Sequence, residues 1–110
     1  MSSTSDGKAA ERAVAQRLKE TGHKIIAMNW RTRWCEIDIV SSKQKVIYFT
    51  EVKYRSSDLQ GSGLEYITKK KLQQINFAAE FWISQEKWEG EVQLLGAEVD
   101  GKYAITFVEI

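Results

Sequence analysis

Apolar residues recur three or four positions apart in two segments of the chain, which is the spacing of a helix that packs one face on a core. The first segment covers residues 6–21 and is followed by Gly22, a residue type that commonly ends a helix in the left-handed conformation. The second segment covers residues 68–84. The apolar stripes consist of Ala10, Val14 and Leu18 in the first segment and of Leu72, Ile75, Ala79 and Trp82 in the second. The pattern predicts two helices.

Runs of β-branched and aromatic residues, bounded by polar positions, predict five strands. We assign residues 41–45 to the turn between the second and third strands, and Asp100 with Gly101 to a tight two-residue turn between the last two. The order α-β-β-β-α-β-β favours an α/β domain with a mixed central sheet flanked by helices. The predicted strands cover residues 24–29, 35–40, 46–54, 92–99 and 103–110.

The charge is divided unevenly along a chain of ordinary composition. With 43% hydrophobic and 28% charged residues among 110, we expect a single domain over residues 1–110, with 1–5 disordered. Residues 1–79 contain 14 Lys or Arg against 8 Asp or Glu, whereas residues 80–110 contain 2 against 7. This asymmetry favours a protein that presents one basic surface to a polyanion such as nucleic acid.

Cysteine content and hydropathy exclude several classes of protein. The one cysteine, Cys35, permits neither an intramolecular disulfide nor a paired-cysteine zinc site, which fits a reducing compartment. The first seven residues are polar and small, and no apolar stretch has the length of a membrane-spanning helix. We therefore expect a cytoplasmic protein without a membrane partner.

Acidic residues stand at matching ends of the second and third predicted strands. Because alternate side chains of a strand share a face, we expect Glu36 and Asp38 on one face of the second strand, and Ile37 and Ile39 on the other. Glu51 stands near the end of the third strand, so a hairpin would bring it close to Asp38. Two carboxylates about 4 Å apart repel by roughly 4 kcal/mol at an effective dielectric near 20, so this arrangement favours a bound cation.

The residue types indicate which cation and which chemistry. Oxygen ligands with almost no histidine or cysteine favour Mg²⁺ or Mn²⁺ held by Asp38 and Glu51, with the backbone carbonyl of Val52 as a further candidate ligand. Lys53 would orient an attacking water or neutralise charge developing on a phosphate. Glu11 lies on the apolar side of the first helix, so it is a candidate for a second-shell water or for the metal.

These residues resemble a known enzyme family. Asp38, followed by Glu51-Val52-Lys53 on a strand and preceded by Glu11 on a helix, is similar to the PD-(D/E)xK nuclease superfamily, which includes restriction endonucleases and archaeal Holliday-junction resolvases. The whole chain resembles the YraN-type family of small bacterial proteins assigned to that superfamily. The stretches that carry this resemblance are Gly7 with Glu11, Asn29-Trp30-Arg31, Glu36-Ile37-Asp38-Ile39, Glu51-Val52-Lys53-Tyr54-Arg55, and Thr68 with Lys71.

The resemblance implies a restriction-endonuclease-like fold and a metal-dependent endonuclease acting on nucleic acid, with structured or branched DNA as the expected substrate. It implies that Asp38, Glu51 and Lys53 are catalytic and metal-binding positions, that Glu11 is the acidic position on the helix, and that Lys71 is a basic position beside the site. Two residues depart from the family pattern: Cys35 stands where glycine is usual, and Gln74 where a basic residue is common.

Basic residues in loops and at the start of the second predicted helix are candidates for contacts with phosphates near the site. Trp34 is a candidate for stacking on a base, and residues 55–63 for a mobile flap. The alternatives are a non-catalytic nucleic-acid-binding module, and an interaction or structural domain in which Asp38, Glu51 and Lys53 form a buried ion-pair network. The strand 103–110 is either a homodimer interface or an inner strand. The candidate nucleic-acid-binding residues are Arg31, Arg33, Arg55, Lys69, Lys70, Lys71 and Gln74.

Overall fold

The computed structural model describes residues 5–55 and 67–110. Residues 1–4 and the part of the predicted flap at 56–63 lie outside the described residues, and Ser5 is the first residue of the first helix. The α/β class and the predicted order of elements are confirmed. In chain order the elements are α1 (Ser5–Glu20), β1 (Lys24–Arg31), β2 (Glu36–Lys43), β3 (Val46–Arg55), α2 (Lys69–Glu86), β4 (Glu91–Asp100) and β5 (Ile105–Glu109).

The five strands form one mixed sheet in the order β1-β2-β3-β4-β5. The pairs β1–β2, β2–β3 and β4–β5 are antiparallel, whereas β3 and β4 are parallel. A parallel pair needs a long crossover connection, and α2 lies within that connection. The β3–β4 ladder spans the full length of both strands, from Val46↔Glu91 to Arg55↔Asp100. β3 is therefore the central strand of the sheet, and it positions the side chains of any site built on this sheet.

The two helices pack on opposite faces of the sheet. Along β3, Tyr48 and Val52 pack against the cluster that contains α1, whereas Ile47 and Phe49 belong to the cluster that contains α2. Successive side chains of a strand point to opposite faces, so the sheet is covered on both sides. The α1 cluster includes Ala10, Val14, Leu18, Ile39, Ala97 and Val99. The α2 cluster includes Ile37, Ile47, Phe49, Ala78, Ala79 and Trp82.

The strict alternation predicted for β2 is wrong. Ile37 belongs to the α2 cluster and Ile39 to the α1 cluster, although the two residues are two positions apart. All positions from Ile37 to Ser41 are buried. A strand covered by helices on both faces is apolar on both faces, so a hydrophobic pattern does not tell which residue faces which helix.

The turn between β2 and β3 is shorter than predicted. β2 continues to Lys43, so Gln44 and Lys45 alone connect it to β3, with φ angles of 53° and 69°. Positive φ at both central residues defines the two-residue hairpin turn that matches the twist of antiparallel strands. The pairs Lys43↔Val46 to Ile39↔Thr50 follow from this turn. The hairpin thus fixes the register that carries Glu51 past the end of the β2–β3 ladder.

The predicted two-residue turn at Asp100 and Gly101 is wrong. β5 begins at Ile105, so residues 101–104 form the connection, and Tyr103 has a φ of 63°. The Asp100 carboxylate accepts hydrogen bonds from the backbone N–H groups of Lys102 at 2.8 Å and Ala104 at 2.9 Å. An aspartate whose carboxylate accepts hydrogen bonds from the N–H groups of the loop stabilises a longer loop than the two-residue turn that the Asp-Gly dipeptide predicts.

In the sheet formed by the described residues, β5 lies at the edge, so it is not an inner strand there. The apolar residues Ile105 and Phe107 pack against the α1 cluster, so they are partly buried within this chain. Tyr103, which was predicted to belong to this strand, lies before it and has its ring centroid 5.9 Å from that of Tyr54. Neither α1 nor α2 is long and apolar enough to cross a lipid bilayer, among the residues that the structure describes.

Candidate active site

Asp38 lies where the β2–β3 ladder ends. The last pair of that ladder is Ile39↔Thr50, and beyond it the Asp38 side chain takes the place of a backbone partner. Its Oδ2 atom accepts a hydrogen bond from the backbone N–H of Val52 at 2.8 Å. Only 8% of Asp38 is exposed. The carboxyl group is thus fixed in position by β3 and is largely removed from water.

Burial and neighbouring charge change the acidity of this carboxyl group. The pKa of Asp38 is raised from its ordinary value of 3.8 to about 7, mainly by burial and next by the negative charge of Glu51. The hydrogen bond from Val52 acts against this rise, whereas Glu11 and Glu36 contribute to it. A buried carboxylate next to other carboxylates is costly, so a proton or another cation is favoured at this position.

Glu51 is paired with a lysine from α2. The distance between Lys71 Nζ and Glu51 Oε2 is 2.9 Å, and the side chains are 37% and 19% exposed. Thr68 is the N-cap of α2, and its hydroxyl oxygen accepts a hydrogen bond from the Lys71 backbone N–H at 3.0 Å. The cap sets where the helix begins. It therefore also places Lys71 in the first turn, facing β3.

The acidic neighbours keep Lys71 charged. Burial lowers the pKa of Lys71, but the hydrogen bond and charge of Glu51 outweigh it, and the net pKa is raised. Asp38 and Glu36 act in the same direction at longer range. Lys71 is therefore an ammonium group at neutral pH, and it supplies a positive charge beside two of the predicted metal ligands.

Glu11 is buried at 5% exposure on α1, as the helix periodicity predicted. The Asn29 amide holds it: Asn29 Nδ2 donates a hydrogen bond to Glu11 Oε1 at 3.0 Å. The Oδ1 atom of the same Asn29 amide accepts a hydrogen bond from Lys8 Nζ at 3.5 Å. Asn29 has a φ of 52°, a left-handed conformation that asparagine tolerates better than most residues. The resemblance included Asn29 in a matching stretch, but its role as the partner of Glu11 was not predicted.

Lys53 and Val52, the other two predicted site residues on β3, are placed differently from the carboxylates of Asp38 and Glu51. Lys53 is exposed and follows Glu51 by two residues on the same face of β3. No ion pair joins Lys53 to any residue in the ranges 5–55 and 67–110. The backbone N–H of Val52 binds Asp38, so Val52 contributes to the site through its amide as well as being a candidate through its carbonyl.

The donor set fits a hard divalent cation only in part. Its side-chain donors are carboxylate oxygens, which Mg²⁺ and Mn²⁺ prefer. However, within residues 5–55 and 67–110 no three histidine, cysteine or acidic side chains lie close enough together to hold an ion. Asp38 and Glu51 are thus the main candidate pair of ligands, and the role of Glu11, which is hydrogen-bonded to Asn29, as a further ligand stays a prediction. Mg²⁺ sites commonly use one or two carboxylates and complete the shell with water and substrate phosphate, and this pair matches that type.

A groove of about 560 Å³ opens beside Glu51, between α2 and the segment that precedes β2. Lys70, Lys71 and Gln74, three of the predicted nucleic-acid-binding residues, line it. Lys69 is exposed at the start of α2. Glu36 also lines the groove, although no role was predicted for it.

The three predicted arginines are placed differently. Arg31 Nη2 lies 3.7 Å from Glu36 Oε1 in an exposed ion pair, and the Arg33 guanidinium lies 5.4 Å from the centre of the Trp34 ring. Arg55 Nε lies 2.7 Å from Glu98 Oε2, and both side chains are largely buried. A phosphate would have to compete with Glu98 for the Arg55 guanidinium, whereas the other two arginines remain accessible.

A family model described as "Uncharacterised protein family UPF0102" matches residues 10–110, which include Glu11, Asp38, Glu51, Lys53 and Lys71. The UPF0102 protein of Sulfurihydrogenibium sp. (strain YO3AOP1) is 37% identical over 91 residues, which are 83% of this chain and 79% of that protein. The UPF0102 protein of Cytophaga hutchinsonii is 33% identical over 96 residues, or 87% and 85% of the two chains. That of Thermotoga petrophila is 37% identical over 89 residues, 81% of each. The chain therefore belongs to the UPF0102 family.

Proposed function

We propose that this protein is a metal-dependent endonuclease that hydrolyses phosphodiester bonds of nucleic acid, with structured or branched DNA as its substrate. The observation that carries the proposal is the buried carboxyl of Asp38, whose pKa is raised to about 7 by burial and by Glu51. Perturbed carboxyl groups of this kind are concentrated at functional sites. The resemblance to PD-(D/E)xK nucleases supports the same assignment. Cys35 is free, which fits activity in the reducing cytoplasm.

Asp38 and Glu51 would hold one Mg²⁺ or Mn²⁺ ion, with the Val52 carbonyl as a candidate additional ligand. Such an ion lowers the pKa of a bound water and neutralises charge on the phosphate during hydrolysis. Its binding would replace the proton that Asp38 retains up to a pH of about 7. It would also compete with the Lys71 ammonium for Glu51, because the two cations share that carboxylate.

The chain's own residues have separate roles in this mechanism. Lys71, displaced from Glu51, is placed to bind a non-bridging oxygen of the scissile phosphate and stabilise its developing charge. Lys53 is exposed on the same strand face and would orient the attacking water. Glu11, fixed by Asn29, would hold a second-shell water instead of contacting the ion directly. Lys70 and Gln74, along the groove, would bind phosphates on either side of the reacting one.

One observation favours a second candidate function, a nucleic-acid-binding module without catalysis. Lys71 already neutralises Glu51, and the residues that the structure describes contain no three-residue acidic group suited to an ion. A chain that keeps this arrangement on its substrate would bind through Lys70, Lys71 and the exposed arginines, with salt-sensitive affinity and no metal-dependent products. Cleavage by the isolated chain separates the two functions.

The decisive experiment incubates the purified chain with a panel of linear, nicked, flapped and four-way DNA and with single-stranded RNA, in Mg²⁺, Mn²⁺ or EDTA. Asp38→Ala is the inactive variant, and Glu91→Gln is the control, because Glu91 is an exposed acid five residue pairs along the β3–β4 ladder from Glu51. The proposal predicts metal-dependent products with wild type and Glu91→Gln, and none with Asp38→Ala. Cleavage that persists in a folded, pure Asp38→Ala sample would refute it. Binding without products would support the second function.

A further inference from the structure

Two large aromatic side chains are exposed beside the groove. Trp34 is 65% exposed and Phe77 is 50% exposed. Phe81 lies between them, with its ring centroid 5.8 Å from that of Trp34 and 6.1 Å from that of Phe77. Trp34 comes from the segment between β1 and β2, and both phenylalanines from α2. Together Trp34, Phe77 and Phe81 form a continuous aromatic surface, which we call the aromatic platform.

The backbone around Trp34 is fixed by local hydrogen bonds. The Thr32 hydroxyl oxygen accepts from the backbone N–H of Trp34 at 3.0 Å and of Cys35 at 3.2 Å. The Thr32 N–H in turn donates to the Cys35 carbonyl oxygen at 2.8 Å. These bonds close a tight turn around the tryptophan. The backbone that carries the indole ring is thus already ordered, which lowers the entropy cost of stacking a planar partner on the ring.

The aromatic platform is continuous with the candidate active site. Trp34 and Phe77 line the same groove as Glu51, Lys70 and Lys71. The Arg33 guanidinium lies over the Trp34 ring, 5.4 Å from its centroid, so it supplies positive charge at the platform and a base that stacks on this face takes its place. Aromatic rings next to basic side chains are the combination by which proteins bind single-stranded nucleic acid, because bases stack on the rings while phosphates bind the cations.

We propose that Trp34 and Phe77 form a stacking subsite for an unpaired base of a single-stranded segment, next to the scissile phosphate that a metal ion held by Asp38 and Glu51 would contact. The position of the scissile phosphate rests on the proposed nuclease function, whereas the stacking itself does not. A base within an intact duplex keeps its faces covered by its neighbours, so the subsite selects nucleic acid with unpaired nucleotides, such as flaps and single-strand junctions. Stacking does not use the sugar 2′-hydroxyl, so the subsite accepts DNA and RNA.

The test measures binding in EDTA, which separates it from cleavage. A fluorescent oligothymidylate is compared with an oligonucleotide of the same length whose central nucleotides are abasic, so that phosphates are kept and bases are lost. The full-length chain is titrated as wild type, Trp34→Ala, Phe77→Ala and the conservative Trp34→Phe. Tyr103→Ala is the matched control, because Tyr103 is an exposed aromatic residue outside the groove lining. Thermal unfolding of each variant confirms that it folds.

Loss of one stacking ring weakens single-strand binding by about five- to hundredfold. We expect a loss of this size on the oligothymidylate for Trp34→Ala and Phe77→Ala, with partial recovery in Trp34→Phe. On the abasic probe, these variants should bind nearly as wild type does, and Tyr103→Ala should bind both probes normally. Equal losses on both probes, or no loss at all, would overturn the subsite. The subsite would also be overturned if the aromatic platform binds a second copy of the chain instead. In that case Trp34→Ala would abolish dimerisation while oligothymidylate binding persists.

The outcomes also separate this subsite from the nuclease function. If the nuclease proposal fails and the subsite is correct, base-dependent binding persists without metal-dependent products. If the subsite fails and the nuclease proposal is correct, Trp34→Ala cleaves a flapped substrate at the wild-type rate. If both are correct, Asp38→Ala keeps base-dependent binding but loses cleavage, and Trp34→Ala loses cleavage of single-stranded substrates more than of duplex ones.

Discussion

Replacing Asp38 by asparagine should change how the stability of the metal-free protein depends on pH. Asparagine has nearly the same size, and its side-chain oxygen can accept the 2.8 Å hydrogen bond that the Val52 N–H donates to Asp38. The substitution therefore removes the ionisable group while keeping the contact that joins β2 to β3. Differences between the two proteins then report the cost of the buried negative charge.

The size and sign of the effect follow from the raised pKa of Asp38. In the folded protein this pKa is about 7 against an ordinary value of 3.8, so between these values the folded chain retains a proton that the unfolded chain has lost. The stabilisation is fully present below a pH of about 4 and is lost as pH rises through about 7. A pKa difference of this size corresponds to about 4 kcal/mol, of which roughly 2–3 kcal/mol is lost between pH 5 and pH 8.

Urea unfolding in EDTA at several pH values measures this difference. We expect the free energy of unfolding of Asp38→Asn to exceed that of wild type by an amount that grows by roughly 2–3 kcal/mol from pH 5 to pH 8. Glu91→Gln, in which an exposed acid is changed in the same way, is the control for removing one carboxylate. A pH-independent difference between Asp38→Asn and wild type would refute the claim that burial and Glu51 raise the pKa of Asp38. Millimolar Mn²⁺ should flatten the wild-type profile, because an ion at this site replaces the proton.

Three further predictions concern neighbouring residues. Lys71→Ala should reduce the cleavage rate by about tenfold or more. In calorimetric titration this variant should bind Mn²⁺ at least as tightly as wild type does, because the ammonium no longer competes for Glu51. Weaker Mn²⁺ binding would contradict this competition. Asn29→Ala should lower the free energy of unfolding by about 1–3 kcal/mol, because it leaves buried Glu11 without its amide donor. Asn29→Gly should not restore this loss, although glycine adopts the positive φ of this position without strain. Asp100→Ala should lower the melting temperature by a few degrees, since two N–H groups lose their acceptor, while cleavage by the folded protein at 25 °C stays at the wild-type rate.

The carboxylates of the candidate active site were easier to predict than the groups that hold them. Asp38 and Glu51 were expected to be neighbours because both stand near strand ends joined by a short turn, and Glu11 was expected to face inward from helix phase alone. Each of the three is held by a residue far away in sequence or by backbone: Val52 N–H for Asp38, Lys71 for Glu51 and Asn29 for Glu11. Such partners depend on where strands end and how helices dock, which local spacing does not contain.

The aromatic platform was also only partly predictable. Trp34 was a stacking candidate from its basic neighbour, but Phe77 was not, because its place on α2 could equally have been a rim position of the core. Its exposure and its position beside Trp34 follow from the rotation of α2 about its axis, which is set by Ala78, Ala79 and Trp82 packing on β3. A helical stripe gives that rotation only approximately, so neighbouring positions at its border are decided by packing.

The sequence by itself determined the number, type and order of the elements, because hydrophobic periodicity and turn residues act over a few positions. It also determined which charged residues were candidates for chemistry. Only the tertiary structure decided that Ile37 and Ile39 pack against different helices and that Asp100 stabilises a four-residue loop. It alone decided that Asp38 is buried with a raised pKa while Lys53 stays exposed. The reason is physical: burial, pKa and partner choice depend on contacts between distant segments, and those contacts exist only after the sheet and both helices have assembled.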